Sequence, residues 1–111
     1  MVKMQKIDKE QILSFLKEEK ANLLSYGVTK LGLFGSYARD ENLAFSDIDI
    51  VIESDVNIIQ KKFSNPLCFF EILDDLKAKI VSKFGTTADI CDVTSLEESE
   101  KIKFLGKVIY A

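Results

Sequence analysis

Apolar residues recur along the chain at two spacings, one typical of helices and one typical of strands. Spacings of three and four predict a first helix over residues 8–25, with Asp8 as its N-cap, Gln11 completing a capping box and Gly27 beyond its C-terminal end. The same spacings recur over residues 66–84, which are followed by a glycine. We therefore expect two long amphipathic helices.

The segments between and after these helices predict short strands and turns. The most regular strand covers residues 46–53, where isoleucine occupies every second position from 48 to 52. The remaining predictions are a strand over 28–34, a short helix over 36–41, a loop over 42–45, a connecting loop over 54–65, a strand over 86–93, a helix over 94–105 and a short final strand over 107–110. This α-β-α-β-α-β-α order, without an internal repeat or a linker, predicts a single α/β domain over residues 1–111 with helices packed on a small sheet.

The charge balance restricts the class of partner. The 111 residues include 15 lysine and arginine residues against 18 aspartate and glutamate residues, so the net charge is −3. Proteins that bind long nucleic acids usually carry a surplus of basic residues, because neutralising phosphates supplies much of their affinity. We therefore expect no long nucleic acid as partner. A small polyanion complexed with a metal ion stays compatible, because the metal brings its own positive charge.

Composition also bears on location and on chemistry. No stretch approaches the ~18 apolar residues of a membrane span, and residues 1–10 lack the apolar segment of a secretory signal. Cys68 and Cys91 lie in apolar segments and are expected to be buried free thiols in a reducing cytoplasm. The sequence contains no histidine. Acid–base or metal chemistry must therefore use carboxylates, lysine or tyrosine.

Two aspartates, Asp47 and Asp49, lie two positions apart on the predicted strand 46–53. Residues i and i+2 of a strand point to the same face, and their backbones lie roughly 7 Å apart. Two carboxylates at this separation can share a divalent metal ion, and on an apolar strand they repel each other unless they are neutralised. The alternative is a strand face that points to solvent.

The turn after the first predicted strand has the features of an anion site. Gly35 and Ser36 end that strand before a short helix, where backbone N–H groups are free to bind an anion and glycine lets a phosphate approach closely. Arg39 is the only arginine among the 15 basic residues, and arginine binds phosphate in a bidentate manner. The alternatives are helix capping by Ser36 and a surface ion pair of Arg39 with Asp40 or Glu41.

A third acidic position, Asp89, lies in the predicted strand 86–93 between the apolar residues Ala88 and Ile90. A carboxylate that points inward there needs a partner, whereas one at an edge or an exposed position needs none. Asp92, three residues later, is a second candidate for the same role.

The combination of these motifs resembles the signature of the polymerase-beta-type nucleotidyltransferase superfamily, in which Gly-Ser is followed after ten residues by Asp-x-Asp. The wider strings Leu33–Arg39 and Ser46–Val51 are similar to its minimal nucleotidyltransferase (MNT) branch. The resemblance covers nearly the whole chain, because the first helix, the strand with Asp89 and the ending 108–110 also fall where that branch has them.

The chain departs from the pattern of this branch at two points. Asp40 stands where the branch usually has glycine, which adds an anion close to the expected phosphate site. The third strand of the branch usually has one aspartate among aliphatic residues, whereas this chain offers Asp89 and Asp92. The distance from Gly85 and the apolar neighbours favour Asp89, and Asp92 is expected to face the opposite side of a regular strand.

The resemblance implies a nucleotidyltransferase fold, a small mixed sheet of about three main strands in the order 1-2-3 with helices packed against it. It also implies transfer of a nucleoside monophosphate from ATP or another NTP to a hydroxyl, with release of pyrophosphate. Two Mg²⁺ ions are implied as cofactors. Asp47 and Asp49 would bridge the ions, and Asp89 would hold the catalytic ion and help to deprotonate the hydroxyl.

The resemblance further implies that Gly35, Ser36, Arg39 and Ser46 bind the nucleotide. In that arrangement Gly35 and Ser36 cradle the β- and γ-phosphates, and Arg39 stabilises charge beside them. The chain consists essentially of the catalytic core, so another molecule has to supply the acceptor.

Many minimal members resemble antitoxins that neutralise a HEPN-type toxin by transferring AMP to one of its tyrosines. The leading hypothesis is therefore an ATP-dependent protein adenylyltransferase, cytoplasmic and able to form a hetero-oligomer with its toxin. One alternative is a binding module that neutralises its partner by docking, its motif weakened by Asp40. The other is a catalytic subunit that modifies a small-molecule hydroxyl. Leu67 and Phe70 are expected in the core, with an interface as the alternative.

Overall fold

A mixed four-stranded sheet organises the chain, and the computed structural model describes residues 7–44 and 46–111. The helices and strands are, in chain order, α1 (Lys9–Ser25), β1 (Val28–Phe34), α2 (Gly35–Ala38), β2 (Ile48–Ser54), α3 (Val56–Lys62), α4 (Cys68–Phe84), β3 (Ala88–Asp92), α5 (Glu98–Leu105) and β4 (Ile109–Tyr110). The sheet order is β3-β2-β1-β4, with β1 antiparallel to β2 and β4, and with β2 parallel to β3. The predicted α/β fold with a small mixed sheet is confirmed, and β4 adds a fourth strand beside the three main ones.

One face of the sheet, called the packed face below, carries the main hydrophobic core. Ile48, Ile50 and Ile52 alternate along β2 and are all fully buried. They cluster with apolar residues of the two long helices: Ile12, Leu13, Phe15, Leu16 and Leu23 of α1, and Phe69, Leu76 and Ile80 of α4. Burying a large aliphatic side chain stabilises a fold by roughly 1.5–3 kcal/mol. The packed face therefore fixes α1 and α4 on the sheet.

The opposite side, called the open face below, consists of Asp49, Val51 and Glu53 with their partners on the neighbouring strands. These β2 residues point away from the isoleucines because strand side chains alternate between faces. The apolar cluster here is smaller: Val51, Val93 and Leu105 are buried, and Phe34, Cys91, Leu96 and Val108 pack against them. Helix α5 contributes Leu105, and its Lys101 Nζ lies 3.0 Å from a carboxylate oxygen of Glu53.

The predicted connecting loop over 54–65 is wrong, because the chain forms helix α3 there. Asp55 is its N-cap, and the Oδ1 atom of Asp55 accepts hydrogen bonds from the backbone N–H groups of Asn57 at 2.8 Å and Ile58 at 3.4 Å. Ile59 is the buried residue of this helix. A capping aspartate and one apolar contact are therefore sufficient for a short helix in a segment whose composition is mostly polar.

Helix α1 and strand β1 match their predictions to within one residue, and the other bounds shift by a few residues. Helix 66–84 begins at Cys68, helix 94–105 at Glu98, and the short helix 36–41 covers Gly35–Ala38; the strands 46–53, 86–93 and 107–110 cover Ile48–Ser54, Ala88–Asp92 and Ile109–Tyr110. The late start of α5 has a local cause. Oδ1 of Asp92 accepts a hydrogen bond from the backbone N–H of Thr94 at 3.0 Å, and such a bond competes with a first helical turn.

Two expectations about burial need correction. Leu67 and Phe70 are exposed, with 66% and 59% of their surface accessible, so they are not core residues. Leu67 is the N-cap of α4 and Phe70 lies in its first turn. Cys68 and Cys91 are free thiols as expected, but both are only half-buried.

Within the described part of the chain, no helix has the length and apolar character that a membrane span requires. The predicted loop over 42–45 includes Phe45, which lies outside the described residues, and so does most of the 1–10 segment considered for a secretory signal.

Candidate active site

The parallel pairing of β2 with β3 brings two of the predicted acidic residues side by side. Asp49 and Asp89 are direct Cα partners in this register, and adjacent strands lie ~4.8 Å apart. Both side chains therefore lie on the open face. Asp47 immediately precedes β2, and the N–H of the next residue, Ile48, donates a hydrogen bond to the carbonyl oxygen of Thr87 at 2.9 Å. The structure thus gathers Asp47, Asp49 and Asp89 at one end of the open face.

The electrostatics of this group reflect three neighbouring carboxylates. Burial raises the pKa of Asp49 above its ordinary value, and the negative charges of Asp89 and Asp47 raise it further. The positive charge of Arg39 acts in the opposite direction and does not offset the increase. Asp47 and Asp89 themselves are exposed. The arrangement is therefore an acidic site whose charge a bound cation would neutralise.

Gly35 places the first turn of α2 directly against the carboxylate of Asp49. Its backbone φ is +74°, in the left-handed region that favours glycine. A Cβ added at this position would lie 2.9 Å from Cγ of Asp49 and still closer to its Oδ2. Both the conformation and the space therefore require glycine. The residue that caps α2 is Phe34, which has no side-chain acceptor, and Ser36 lies inside the helix rather than at its cap.

Arg39 follows α2 and is exposed beside the acidic group. Its Nε donates a hydrogen bond to Oε2 of Glu41 at 3.0 Å, which is one of the two ion pairs considered from the sequence. The pair joins two exposed side chains, and exposed pairs of this kind contribute about 0–1 kcal/mol. Arg39 is therefore free to exchange Glu41 for a stronger anion.

Asp40 has an unusual backbone and a specific partner. Its φ is +58°, a conformation that glycine adopts without strain, which accounts physically for glycine at this position in the branch it resembles. Oδ2 of Asp40 accepts a hydrogen bond from Nζ of Lys9 at 2.7 Å. This hydrogen bond lowers the pKa of Asp40, and the charges of Lys9 and Lys107 lower it further. The negative charge near the Gly35 turn is thus balanced by lysines.

Two consecutive threonines, Thr86 and Thr87, support the acidic group, and sequence reasoning did not assign them a role. Oγ1 of Thr86 donates a hydrogen bond to the backbone carbonyl oxygen of Ser46 at 3.2 Å. Oγ1 of Thr87 donates to Oδ1 of Asp47. Ser46 closes the turn before β2, since its Oγ accepts from the backbone N–H of Leu43 at 2.8 Å. The available signal was a pair of hydroxyl residues just before the strand of Asp89.

Asp92 lies apart from the acidic group. It is paired with Ile52, three positions along β2 from Asp49. Its carboxylate accepts hydrogen bonds from Oγ of Ser54 at 2.9 Å and from the backbone N–H of Thr94 at 3.0 Å. Asp92 therefore has a structural role at the end of β3, and Asp89 is the third-strand aspartate that faces Asp49.

The donor set fits a magnesium ion better than a softer metal. The three aspartates offer only carboxylate oxygens, which are the ligands of hard cations such as Mg²⁺. Among residues 7–44 and 46–111, no three acidic or thiol side chains converge closely enough to form a complete metal site by themselves. Mg²⁺ is commonly held by one or two carboxylates together with substrate phosphates rather than by a cage of protein ligands. Carboxylates beside a candidate phosphate turn suit that mode of binding.

Comparisons with known proteins identify the family of the chain. The family described as nucleotidyltransferase domain matches residues 9–109. The protein adenylyltransferase MntA of Thermococcus cleftensis is 30% identical over 102 residues, which cover 91% of this chain and 93% of the relative. A putative protein adenylyltransferase of Methanocaldococcus jannaschii is 39% identical over 77 residues, covering 66% of this chain and 76% of the relative.

A second putative protein adenylyltransferase of Methanocaldococcus jannaschii is 29% identical over 87 residues, which cover 78% of this chain and 83% of the relative. No solved structure is similar enough to count as a match. The family match spans almost all of the described chain, and the relatives align over most of their own lengths. The chain therefore belongs to the nucleotidyltransferase domain family, in its minimal branch, and is a nucleotidyltransferase.

Proposed function

We propose that this nucleotidyltransferase transfers AMP from ATP to a hydroxyl group of a partner protein, and that the partner is a HEPN-type toxin neutralised in the cytoplasm. The observation that carries the transfer chemistry is the pairing of Asp49 with Asp89 beside the Gly35 turn. Relatives named protein adenylyltransferases support a protein acceptor. The toxin partner rests on the resemblance to the minimal branch.

The proposed reaction places each acidic residue in a distinct role. Asp47 and Asp49 would hold two Mg²⁺ ions, and Asp89 would hold one of them and accept the proton of the acceptor hydroxyl. When bound, these ions neutralise phosphate charge and stabilise the attacking and leaving oxygens of an in-line displacement. The acidic end of the open face has the oxygen donors for this task, and burial together with the charges of Asp89 and Asp47 raises the pKa of Asp49 there.

The proposed transfer joins AMP to the acceptor and releases pyrophosphate. The hydroxyl oxygen of the acceptor forms a bond to the α-phosphorus of ATP. The bond between that phosphorus and the oxygen bridging to the β-phosphorus breaks, and pyrophosphate leaves with the bridging oxygen and its electron pair. The acceptor's proton passes to the Asp89 carboxylate and from there to solvent. Asp89 is exposed, so both the hydroxyl and water can reach it.

The nucleotide's phosphates are assigned to the turn between β1 and α2. Gly35 has no side chain to block their approach, and the backbone N–H groups of Gly35 and Ser36 are the donors that bind them. The guanidinium group of Arg39 donates two hydrogen bonds to a phosphate once its ion pair with Glu41 is broken. Ser46 closes the turn that leads into Asp47 and completes the predicted nucleotide-binding set.

The two alternative functions have less support. The alternative of a docking module without catalysis is based on the extra anion at Asp40, and the ion pair of Asp40 with Lys9 at 2.7 Å partly offsets that charge. A small-molecule acceptor is less favoured, because the three relatives reported above are named protein adenylyltransferases.

The test is label transfer from ATP labelled at the α-phosphate, with ATP labelled at the γ-phosphate as a control, in lysate of the source organism. A discrete protein band labelled only by the α-phosphate, and identified by mass spectrometry as a HEPN-type protein, supports the proposal. Asp49→Asn should lose this band, while Asp74→Asn, which removes an exposed carboxylate on α4, should keep it. Labelling that persists in Asp49→Asn would contradict the assigned chemistry.

A further inference from the structure

An aromatic side chain with no role in the motifs stands beside the candidate site. Phe104 lies in the last turn of α5 and keeps 61% of its surface exposed, although its neighbour Leu105 is buried against the sheet. Single exposed apolar residues are common on protein surfaces. The position of Phe104, rather than its exposure alone, therefore has to carry any inference.

The position of Phe104 is fixed by its contact with Phe34. The two ring centroids lie 6.3 Å apart with a 43° angle between the ring planes, within the range of favourable aromatic pairs. Phe34 is the direct strand partner of Asp49 and precedes Gly35 in the chain. Phe104 is thus held at the open face. The ring of Phe34 lies between it and the positions of Asp49 and Gly35.

We propose that Phe104, supported by Phe34, contacts the planar base of the bound nucleotide. The inference rests on the proposed nucleotide transfer and adds a residue for the part of ATP that the carboxylates and the Gly35 turn leave without a partner. Aromatic side chains bind nucleobases by stacking, and every base offers a ring face for this contact. The aromatic ring of an acceptor side chain has similar chemistry. We favour the base because Phe104 packs on Phe34, and Phe34 directly precedes Gly35, the residue assigned to the phosphates.

The chain offers a matched control for Phe104. Phe70 has nearly the same exposure, 59% against 61%, and it also contacts a second phenylalanine, Phe69, with ring centroids 6.4 Å apart. Phe70 lies near the N-terminal end of α4, whereas the C-terminal end of α4 leads towards Asp89. Phe84 lies 14 positions after Phe70, which corresponds to about 21 Å of helix. Substitution of either phenylalanine by alanine removes an aromatic ring of similar exposure. Of the two rings, Phe104 is the one beside the site.

The experiment compares binding of MgATP with binding of magnesium tripolyphosphate, which lacks the nucleoside, by calorimetric titration. Phe104→Ala should weaken MgATP binding roughly tenfold, the size typical of one base–aromatic contact. It should leave tripolyphosphate binding unchanged. Phe104→Tyr should bind MgATP as the parent protein does, because it keeps the aromatic ring. Phe70→Ala should bind both ligands as the parent protein does.

Unchanged MgATP binding by Phe104→Ala would overturn the inference. If its label transfer to the partner protein fell at the same time, the aromatic surface would belong to the acceptor instead. Equal weakening of MgATP and tripolyphosphate would also overturn the inference, since the effect would then act through the phosphates. A parent protein that binds neither ligand would contradict the proposed function itself, and thermal unfolding of each variant verifies that the fold is intact.

Discussion

Strand β2 contributes side chains to both faces of the central sheet, and the two faces differ in what they require. The packed face requires apolar side chains, whereas the open face carries the acidic residues of the candidate site. On the packed face of β2, Ile48, Ile50 and Ile52 are completely buried and supply the core. On the open face the alternate positions carry Asp49, which is only partly buried and repelled by its neighbours. The stability of the first face allows the second to hold like charges close together, because a rigid strand keeps them there. Stability and activity should therefore respond to different positions of one strand.

The largest expected effect is on activity, from Asp49→Asn on the open face. This change keeps the shape of the side chain and removes a charge that the proposed Mg²⁺ ions would need, so the proposed AMP transfer should fall about a thousandfold, close to 4 kcal/mol in activation free energy. Steady-state transfer measured with α-labelled ATP gives the loss. The midpoint of thermal unfolding should stay the same or rise, since repulsion with Asp89 and Asp47 is relieved. A lower unfolding midpoint together with unchanged AMP transfer would contradict the prediction, because Asp49 would then act in stability rather than in activity.

Ile50→Ala tests the packed face at the adjacent residue. Ile50 is fully buried, so the lost contacts and the cavity left behind should lower the free energy of unfolding by about 3 kcal/mol. Denaturant titration followed by circular dichroism measures this change. Transfer activity per folded molecule should stay within a factor of about three, because no atom of the acidic group is altered. A large specific loss of transfer by the folded variant would show that the faces are not separable.

These two predictions follow from a pattern that was visible in the sequence. A period of two along residues 46–53 already separates the isoleucines from the aspartates, because strand geometry is local and regular. The helix at Val56–Lys62 was missed because its polar composition outweighed the capping signal of Asp55. The contacts of Thr87 with Asp47, Lys9 with Asp40 and Phe104 with Phe34 join distant parts of the chain. No local spacing specifies such pairs, so only the folded chain reveals them.

Thr87→Val sharpens the comparison within the open face. The hydroxyl of Thr87 donates to Asp47 and orients its carboxylate, and losing such a support typically weakens metal binding by ~10-fold or more. The concentration of Mg²⁺ that gives half-maximal transfer should therefore rise about tenfold, with a smaller change in the maximal rate.

Two variants distinguish orientation of Asp47 from a general loss of structure. Thr87→Ser keeps the hydroxyl and should restore the normal Mg²⁺ requirement. Thr29→Val removes a hydroxyl that is bonded to the Glu53 carbonyl at the other end of β1, and it should leave the Mg²⁺ requirement unchanged. Equal effects of all three substitutions would argue against a role for Thr87 at the site.

The smallest expected effect comes from Glu53, the open-face residue that anchors α5. Burial alone would raise its pKa, but the hydrogen bond from Lys101 and the charge of Lys30 outweigh burial and hold the pKa below the ordinary value of 4.5. A lowered pKa means that the pair stabilises the fold above pH ~4.5 and that this stability disappears as the pH falls through the folded value. Glu53→Gln should lower the free energy of unfolding at pH 7 by about 1 kcal/mol.

The same substitution should flatten the acid dependence of stability as the pH falls below about 4.5, measured by denaturant titration at each pH. Glu98→Gln is the matched control, because Glu98 also lies within 3.1 Å of Lys101 Nζ but its side chain is 81% exposed. Glu98→Gln should change the free energy of unfolding much less than Glu53→Gln at every pH. A similar loss in both variants would show that burial under α5 does not strengthen the Glu53 pair.

The parallel partnership of β2 with β3 has a consequence for how the site comes into being. Asp49 and Asp89 are 40 positions apart in the chain, with α3 and α4 between them. Contacts between such distant segments form slowly, because a long loop has to close before they gain any stability. The β1–β2 pair, by contrast, is closed by a much shorter connection. We therefore expect the core to collapse around the first two strands before the acidic residues meet, so that catalytic competence is acquired late on the folding pathway.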